Sequence, residues 1–241
     1  MLDWLRRDPR EDPVLDIAGR QVPVIIRRLP QARRMTMRLA PDGSEIRISI
    51  PRWTRTEDAL EFARSKQSWL AIQIEALPQA TPLGDGETLD FRGHRFVVRH
   101  DPALPRRPVP DDGALLVGGP ESSLASRLKR WLETEARSAL TEDLAEYCAR
   151  AGQHTPPLAL SSARRRWGSC AADGSIRINW RLIMAPDPVR RSVVAHEVAH
   201  LVHFDHSPAF HDFLGSLFEG SVPSANRWLK ENGRSLYIPF G

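Results

Sequence analysis
Cysteine is scarce in this chain: Cys148 and Cys170 are the only two in 241 residues. They form no C-x-x-C pair, which excludes a zinc ribbon and a dithiol redox motif, and two isolated thiols suit a reducing cytoplasm better than a disulfide scaffold. Long hydrophobic runs are also missing. Nothing approaches the ~20 apolar residues that span a bilayer, so no membrane partner is expected. The opening Met1-Leu2-Asp3-Trp4-Leu5-Arg6-Arg7-Asp8 lacks an apolar core, so no signal peptide is expected and the chain reads as cytoplasmic. No low-complexity tract or internal repeat stands out. Nor is there a large excess of one charge: 34 Lys and Arg against 30 Asp and Glu give +4, with a pI near 9.6. That modest excess excludes the profile of a disordered chain and leaves nucleic acid open as a partner, although a solvated basic face reads the same way.

What is present is enough apolar content, 41%, for a sizeable core. Residues 1–21 are polar, carry Pro9 and Pro13, and read as an arm. Pro23 to Arg27 begins a strand. Met35, Met37 and Leu39 alternate with polar residues, as do Ile46, Ile48 and Ile50, and Pro41-Asp42-Gly43-Ser44 between them completes a hairpin. Over Thr56 to about Leu77 the period becomes helical, with Thr54 or Thr56 as cap. A second hairpin turns at Arg92-Gly93, a Pro-rich loop covers Asp101 to Asp112, and Gly113 to Val117 is a short strand.

Ser122 or Ser123 opens a long helix that runs to about Ala151 and stops at Gly152. Leu158 to Ala163 and Ile176 to Trp180 read as strands. Asp187-Pro188 starts a helix through about His203, Ser207-Pro208 starts another that Gly220 ends, and a last one covers Ser224 to Asn232. The fold class is therefore α+β: a strand-rich N-terminal region over 22–120 and a helical C-terminal region over 121–241.

Five of the eight histidines fall between His196 and His211. His196 and His200 are four apart on a predicted helix, so both project from one face and can grip one metal ion. Glu197 sits beside the first and can reach a water at the metal without occupying it. Imidazole donors favour zinc. A catalytic zinc needs a third protein ligand and an open position. From spacing His206 is favoured and His203 is second, with His211 and Glu219 also near. A structural four-ligand site would have no use for Glu197.

Arg166-Trp167-Gly168-Ser169-Cys170, then Ile178-Asn179-Trp180, then His196-Glu197-Val198-Ala199-His200 and His206-Ser207-Pro208-Ala209-Phe210 resemble the YgjP-like metallopeptidase family. The likeness extends through Ile50-Pro51, Lys66-Gln67-Ser68-Trp69-Leu70 and Phe91-Arg92-Gly93-His94, covering roughly residues 22 to 235. It implies a zincin-like metallopeptidase half and one Zn2+ held by His196, His200 and His206. It also implies Glu197 as base and a peptide or protein as substrate. One departure is His211, where the family often has tryptophan. The metal motif is also similar to SprT-like and WLM-type proteases, and that analogy offers nucleic-acid-bound proteins as an alternative substrate. Arg166, Trp167, Gly168 and His203 are candidate substrate contacts. Arg166 and His203 are also candidate oxyanion donors, and Trp167 is either a cleft wall or a core aromatic. If residues 164 to 170 form an edge strand, a peptide can pair with it. Cys170 reads as a buried, inert thiol.

Overall fold
The computed structural model describes residues 13–40, 43–75, 83–164 and 166–240, and its strand pairing begins earlier than expected. β1 (Val14–Ile17) lies within the stretch read as an arm and pairs antiparallel with β2 (Arg20–Arg28). The reason is local. Leu15 and Ile17 alternate inward, and Ala18-Gly19, with φ of 52° and 81°, make a tight turn of the hairpin kind. Asp16 accepts the Gly19 N–H at 3.0 Å and so closes that turn. The rest of the expected arm, residues 1–12, lies outside the described residues.

The chain divides into two compact units, Met1–Gln79 and Ala80–Gly241. In the first, β3 (Thr36–Leu39) and β4 (Ile46–Ile50) form the expected hairpin, with Met37 opposite Ile48. Pro41 and Asp42 of its turn lie outside the described residues. β2 and β4 run parallel, giving a sheet ordered β1-β2-β4-β3. Its core is Ile17, Val22, Val24, Ile46, Ile48 and Ile50 packed under Ala59, Ala63 and Leu70. The helix expected from Thr56 to Leu77 is two helices, α1 (Thr56–Ser65) and α2 (Gln67–Glu75), with Leu77 outside the described residues. At the break the Ser65 hydroxyl donates to the Phe62 carbonyl at 2.8 Å. The Lys66 N–H reaches back three residues to Ala63 at 3.1 Å, which tightens the last turn of α1.

The second unit begins with β5 (Thr88–Phe91), β6 (His94–His100), β7 (Val109–Asp111) and β8 (Ala114–Val117). β7 is a three-residue strand inside the stretch expected as loop. The sheet order is β5-β6-β8-β7, with β5/β6 and β7/β8 antiparallel and β6/β8 parallel. This is the topology of the first sheet again, so the chain does contain a repeat. Leu15-Asp16-Ile17-Ala18-Gly19 corresponds to Leu89-Asp90-Phe91-Arg92-Gly93, and Leu15 opposite Val22 matches Leu89 opposite Phe96. The two turns share their geometry, with φ of 51° at Arg92 and 80° at Gly93. These four strands share their compact unit with the helical half, across the boundary expected at 120/121.

α3 (Leu124–Arg150) follows a short 3-10 turn, and Ser123 donates its hydroxyl to Pro120 rather than capping the helix. With 27 residues it is roughly 40 Å long. Leu128, Leu132, Ala136, Leu140 and Tyr147 line its fully buried stripe. β9 (Leu158–Ser161), β10 (Gly168–Cys170) and β11 (Ile176–Asn179) form a third sheet ordered β10-β11-β9.

α4 (Asp187–Ala199), α5 (Pro208–Leu217) and α6 (Val222–Asn232) complete the chain. α4 stops at Ala199 instead of running through His203. Asp187 lies inside its first turn, after the Pro186 cap, and its carboxylate is taken by Arg92 and Arg190. Among the described residues no helix is long and apolar enough to cross a membrane.

Charged side chains join α3 to α4. Arg190, 3% exposed, donates to Asp143 at 2.8 Å, and Arg191 reaches the same carboxylate at 3.0 Å. Glu219, a conceivable metal ligand in the sequence, instead accepts from Arg191 at 2.7 Å and from Tyr147 and Arg150 at 2.8 Å each. Burial pushes its carboxyl up, but these donors outweigh that and take it down to about 2 from an ordinary value of 4.5. The unfolded chain therefore binds this proton first as acid is added. The Glu219 contribution is complete above pH 4.5 and is lost as pH falls through about 2. In urea titrations across that window, Glu219→Gln should be less stable than wild type at pH 6, with the gap closing toward pH 2. A gap independent of pH would contradict the assignment.

Candidate metal centre
α4 carries His196 and Glu197 in its last turn, and His200 closes it at the C-cap. The burial of Glu197 follows from helix geometry. It lies seven residues after the buried Arg190, two turns along the same face, and is 5% exposed. His196 and His200 flank that face and are half-buried. The chain then bends through 201–206, and Ser207 starts α5 by accepting the Phe210 N–H at 3.4 Å. That turn brings His206 back over the end of α4.

One donor atom from each of His196, His200 and His206 lies within 4.8 Å of the others, a set that can hold a metal ion. His206 Nε2 and His196 Nε2 are 3.3 Å apart. This matches the edge, about 3.3 Å, of a tetrahedron with metal–nitrogen bonds of ~2.0–2.1 Å. His196 is pushed down to about 4 by burial and by its histidine neighbours, so it is neutral at pH 7, the form that ligates. His200 Nδ1 contacts the His203 carbonyl at 3.0 Å, which orients the ring and leaves Nε2 for a metal. Phe210, fully buried, lies against all three rings, with centroids 4.6 to 5.0 Å away.

The other two histidines of the cluster do not join this set. With α4 ending at Ala199, His203 no longer shares a helix face with His200; its ring packs edge-on against Phe213. His211 is exposed on α5, its ring 6.3 Å from that of His206.

Glu197 faces β10. Burial pushes its carboxyl up to about 7, opposed by the Cys170 N–H and the charge of Arg166. A β-carbon at Gly168 would sit 2.3 Å from Glu197 Oε1, so glycine there is clearance for the carboxylate. The sequence reading missed this role; its only signal was a glycine in a strand. β10 lies at the edge of its sheet, with Gly168 opposite Ile178. At its entry Arg166 is exposed. Trp167 is half-buried, its ring 5.6 Å from Tyr237. Asn179, fully buried, donates to the Ala163 carbonyl at 2.8 Å and to the Tyr237 hydroxyl at 3.2 Å. The Cys170 thiol is pushed up by burial and by the nearby Glu197 and Asp173 charges, which makes it a poor nucleophile.

Compared with known families, the chain matches the model described as YgjP-like, metallopeptidase domain, over residues 33–232. No curated protein and no solved structure matches it.

The contact between Gly168 and Glu197 makes a stability prediction. Gly168→Ala should cost about 1–3 kcal/mol in urea unfolding, the range for overpacking a filled site. In a Glu197→Ala background the same change should cost markedly less, because the clash is gone. Equal costs in both backgrounds would show that the carboxylate is not what the glycine accommodates.

Proposed function
The chain belongs to the YgjP-like metallopeptidase family, and from that premise we propose that it is a zinc-dependent peptidase with a zincin-like C-terminal half. In this reading His196, His200 and His206 hold one zinc ion and Glu197 is the general base. The observation that carries it is the convergence of three imidazole donors, two from the end of α4 and one from the segment before α5, beside the buried Glu197.

A zinc ion at such a site supplies Lewis acidity to the scissile carbonyl and makes water acidic enough to attack near neutral pH. Glu197 takes the proton of the attacking water at a carboxylate oxygen and hands it to the leaving amine. Gly168 and the Cys170 N–H hold that carboxylate in place. The substrate is a peptide or an unfolded protein, which adds as a strand to the edge of β10. Arg166 and Trp167 flank that edge, and His203 lies on the rim past the end of α4. The free thiols Cys148 and Cys170 suit a reducing cytoplasm. The competing reading, a zinc-stabilised binding module, leaves Glu197 without a purpose.

Zinc-loaded protein should hydrolyse unfolded casein, and a chelator should stop it. Glu197→Gln should lower the rate by about 10²–10⁴-fold with its zinc content intact, whereas His206→Ala should lose zinc itself. Undiminished hydrolysis in Glu197→Gln would remove the proposal, and four protein ligands in a zinc-edge absorption spectrum would favour the binding module.

A further inference from the structure
Away from the histidines, the described residues of the second unit hold a concentration of positive charge with little to balance it. Arg106 and Arg107 precede β7, and Arg127 and Arg130 lie in the first two turns of α3. Together they line a pocket of about 360 Å³ walled by Pro108 and Trp131. A β-carbon at Gly119 would sit 3.1 Å from Arg106 Cγ and 3.1 Å from Arg127 Nη2, so the stem of Arg106 and the guanidinium of Arg127 pack on the same glycine. Arg127 Nη2 donates to the Pro120 carbonyl at 3.0 Å and to the Ser123 hydroxyl at 2.7 Å, which fixes the side chain. Its Nη1 is shut off from solvent and has no partner among the described residues. Glu135, 3.3 Å from Arg107, is the one carboxylate paired with any of the four among the described residues. Guanidinium groups stay charged, and one carboxylate against four of them leaves the lining net positive.

A second observation comes from the repeat. In the first unit Arg33-Arg34 precede β3 as Arg106-Arg107 precede β7. There a groove of about 510 Å³ lies between β3 and the helices, lined by Arg34, Lys66, Met37, Phe62 and Trp69. In both copies a basic pair precedes the third strand, and at least one of its arginines lines a concavity together with a tryptophan from a following helix.

We propose that the pocket formed by Arg106, Arg107, Arg127 and Arg130 is a binding site for phosphate oxyanions. The guanidinium fork matches a phosphate with two parallel hydrogen bonds. The exposed forks of Arg106, Arg107 and Arg130 around one small pocket call for an anion with more charge and more acceptor oxygens than a single carboxylate has. The phosphate comes either from free diphosphate or from the phosphodiester of a nucleic-acid strand. The site stands apart from the metal centre and does not depend on the peptidase reading.

The test is titration of the full chain at low salt with inorganic diphosphate, by calorimetry, and with a labelled oligothymidylate, by fluorescence anisotropy. Arg106→Gln and Arg130→Gln alter exposed side chains, so the fold should survive, which circular dichroism checks. Each should weaken binding about tenfold, the loss expected for one charged hydrogen bond. Arg20→Gln, an exposed arginine on β2, should bind as wild type does. Binding of both ligands with equal affinity assigns the pocket to free phosphate, and much tighter binding of the oligonucleotide, steeply weakened by salt, assigns it to a phosphodiester backbone. The proposal fails if neither ligand binds. It also fails if Arg20→Gln weakens binding as much as the pocket variants do, or if a polyglutamate peptide binds as tightly as the phosphates.

Discussion
The placement of α4 depends on one buried ion pair, Arg190 with Asp143, each no more than 5% exposed at the side chain. Taking two such charges out of water costs several kcal/mol per ion, and good geometry must recover it. Here it does so in a connected set: Asp143 also receives Arg191, and Asp187 receives Arg190 and Arg92. A pair of this kind specifies position more than it stabilises. An apolar contact tolerates a slide of α4 along α3, whereas a buried guanidinium that loses its carboxylate does not. Because Glu197 lies two turns beyond Arg190 on the same face, the pair that sets the rotation of α4 also decides that Glu197 is buried and that His196 and His200 flank it.

The rest of the centre is then short-range. Glu197 needs a neighbour without a β-carbon, and Gly168 in β10 supplies it. His206 must return to the helix end, and the residue after it, Ser207, caps α5. Phe210 follows in the first turn of α5 and lies against all three imidazoles. The third imidazole of the cluster, the cap and the aromatic support are thus encoded within five consecutive residues, His206 to Phe210, so little else is needed to aim that histidine.

Much of this was legible in the sequence. The hairpins at Arg92-Gly93 and between Met37 and Ile48 were readable because strand alternation and turn chemistry agree there. α3 was readable because its apolar stripe is long. The return of His206 toward His196 and His200 was readable because a Ser-Pro start signal follows it directly. Other features were hidden. α4 carries an unbroken pattern past His200, yet it ends at Ala199, and nothing local in Leu201-Val202-His203 announces the stop. β1 escaped because four residues with two inward side chains give too little periodicity to set against a polar, proline-bearing stretch. Gly168 escaped because its reason is a contact with a residue 29 positions away in the sequence.

The repeat was hidden for a different reason. Geometry constrains few positions in a four-stranded sheet of this kind: the glycine of each tight turn, where φ is near +80°, and the inward-facing residues, where any apolar side chain serves. Everything else is free to diverge, and the two turns show how far it has. At Ala18-Gly19 a β-carbon on the glycine would meet nothing within 4 Å. At Arg92-Gly93 it would sit 2.8 Å from Pro186, because that turn is docked on the segment leading into α4. There the Arg92 and Gly93 N–H groups donate to Ile183 and Met184 at 2.7 and 3.2 Å. Two glycines with the same backbone conformation are thus required for different reasons. The first permits a turn, while the second also admits the backbone that positions the start of α4. One copy of the motif has become part of the support of α4, and that task governs its turn.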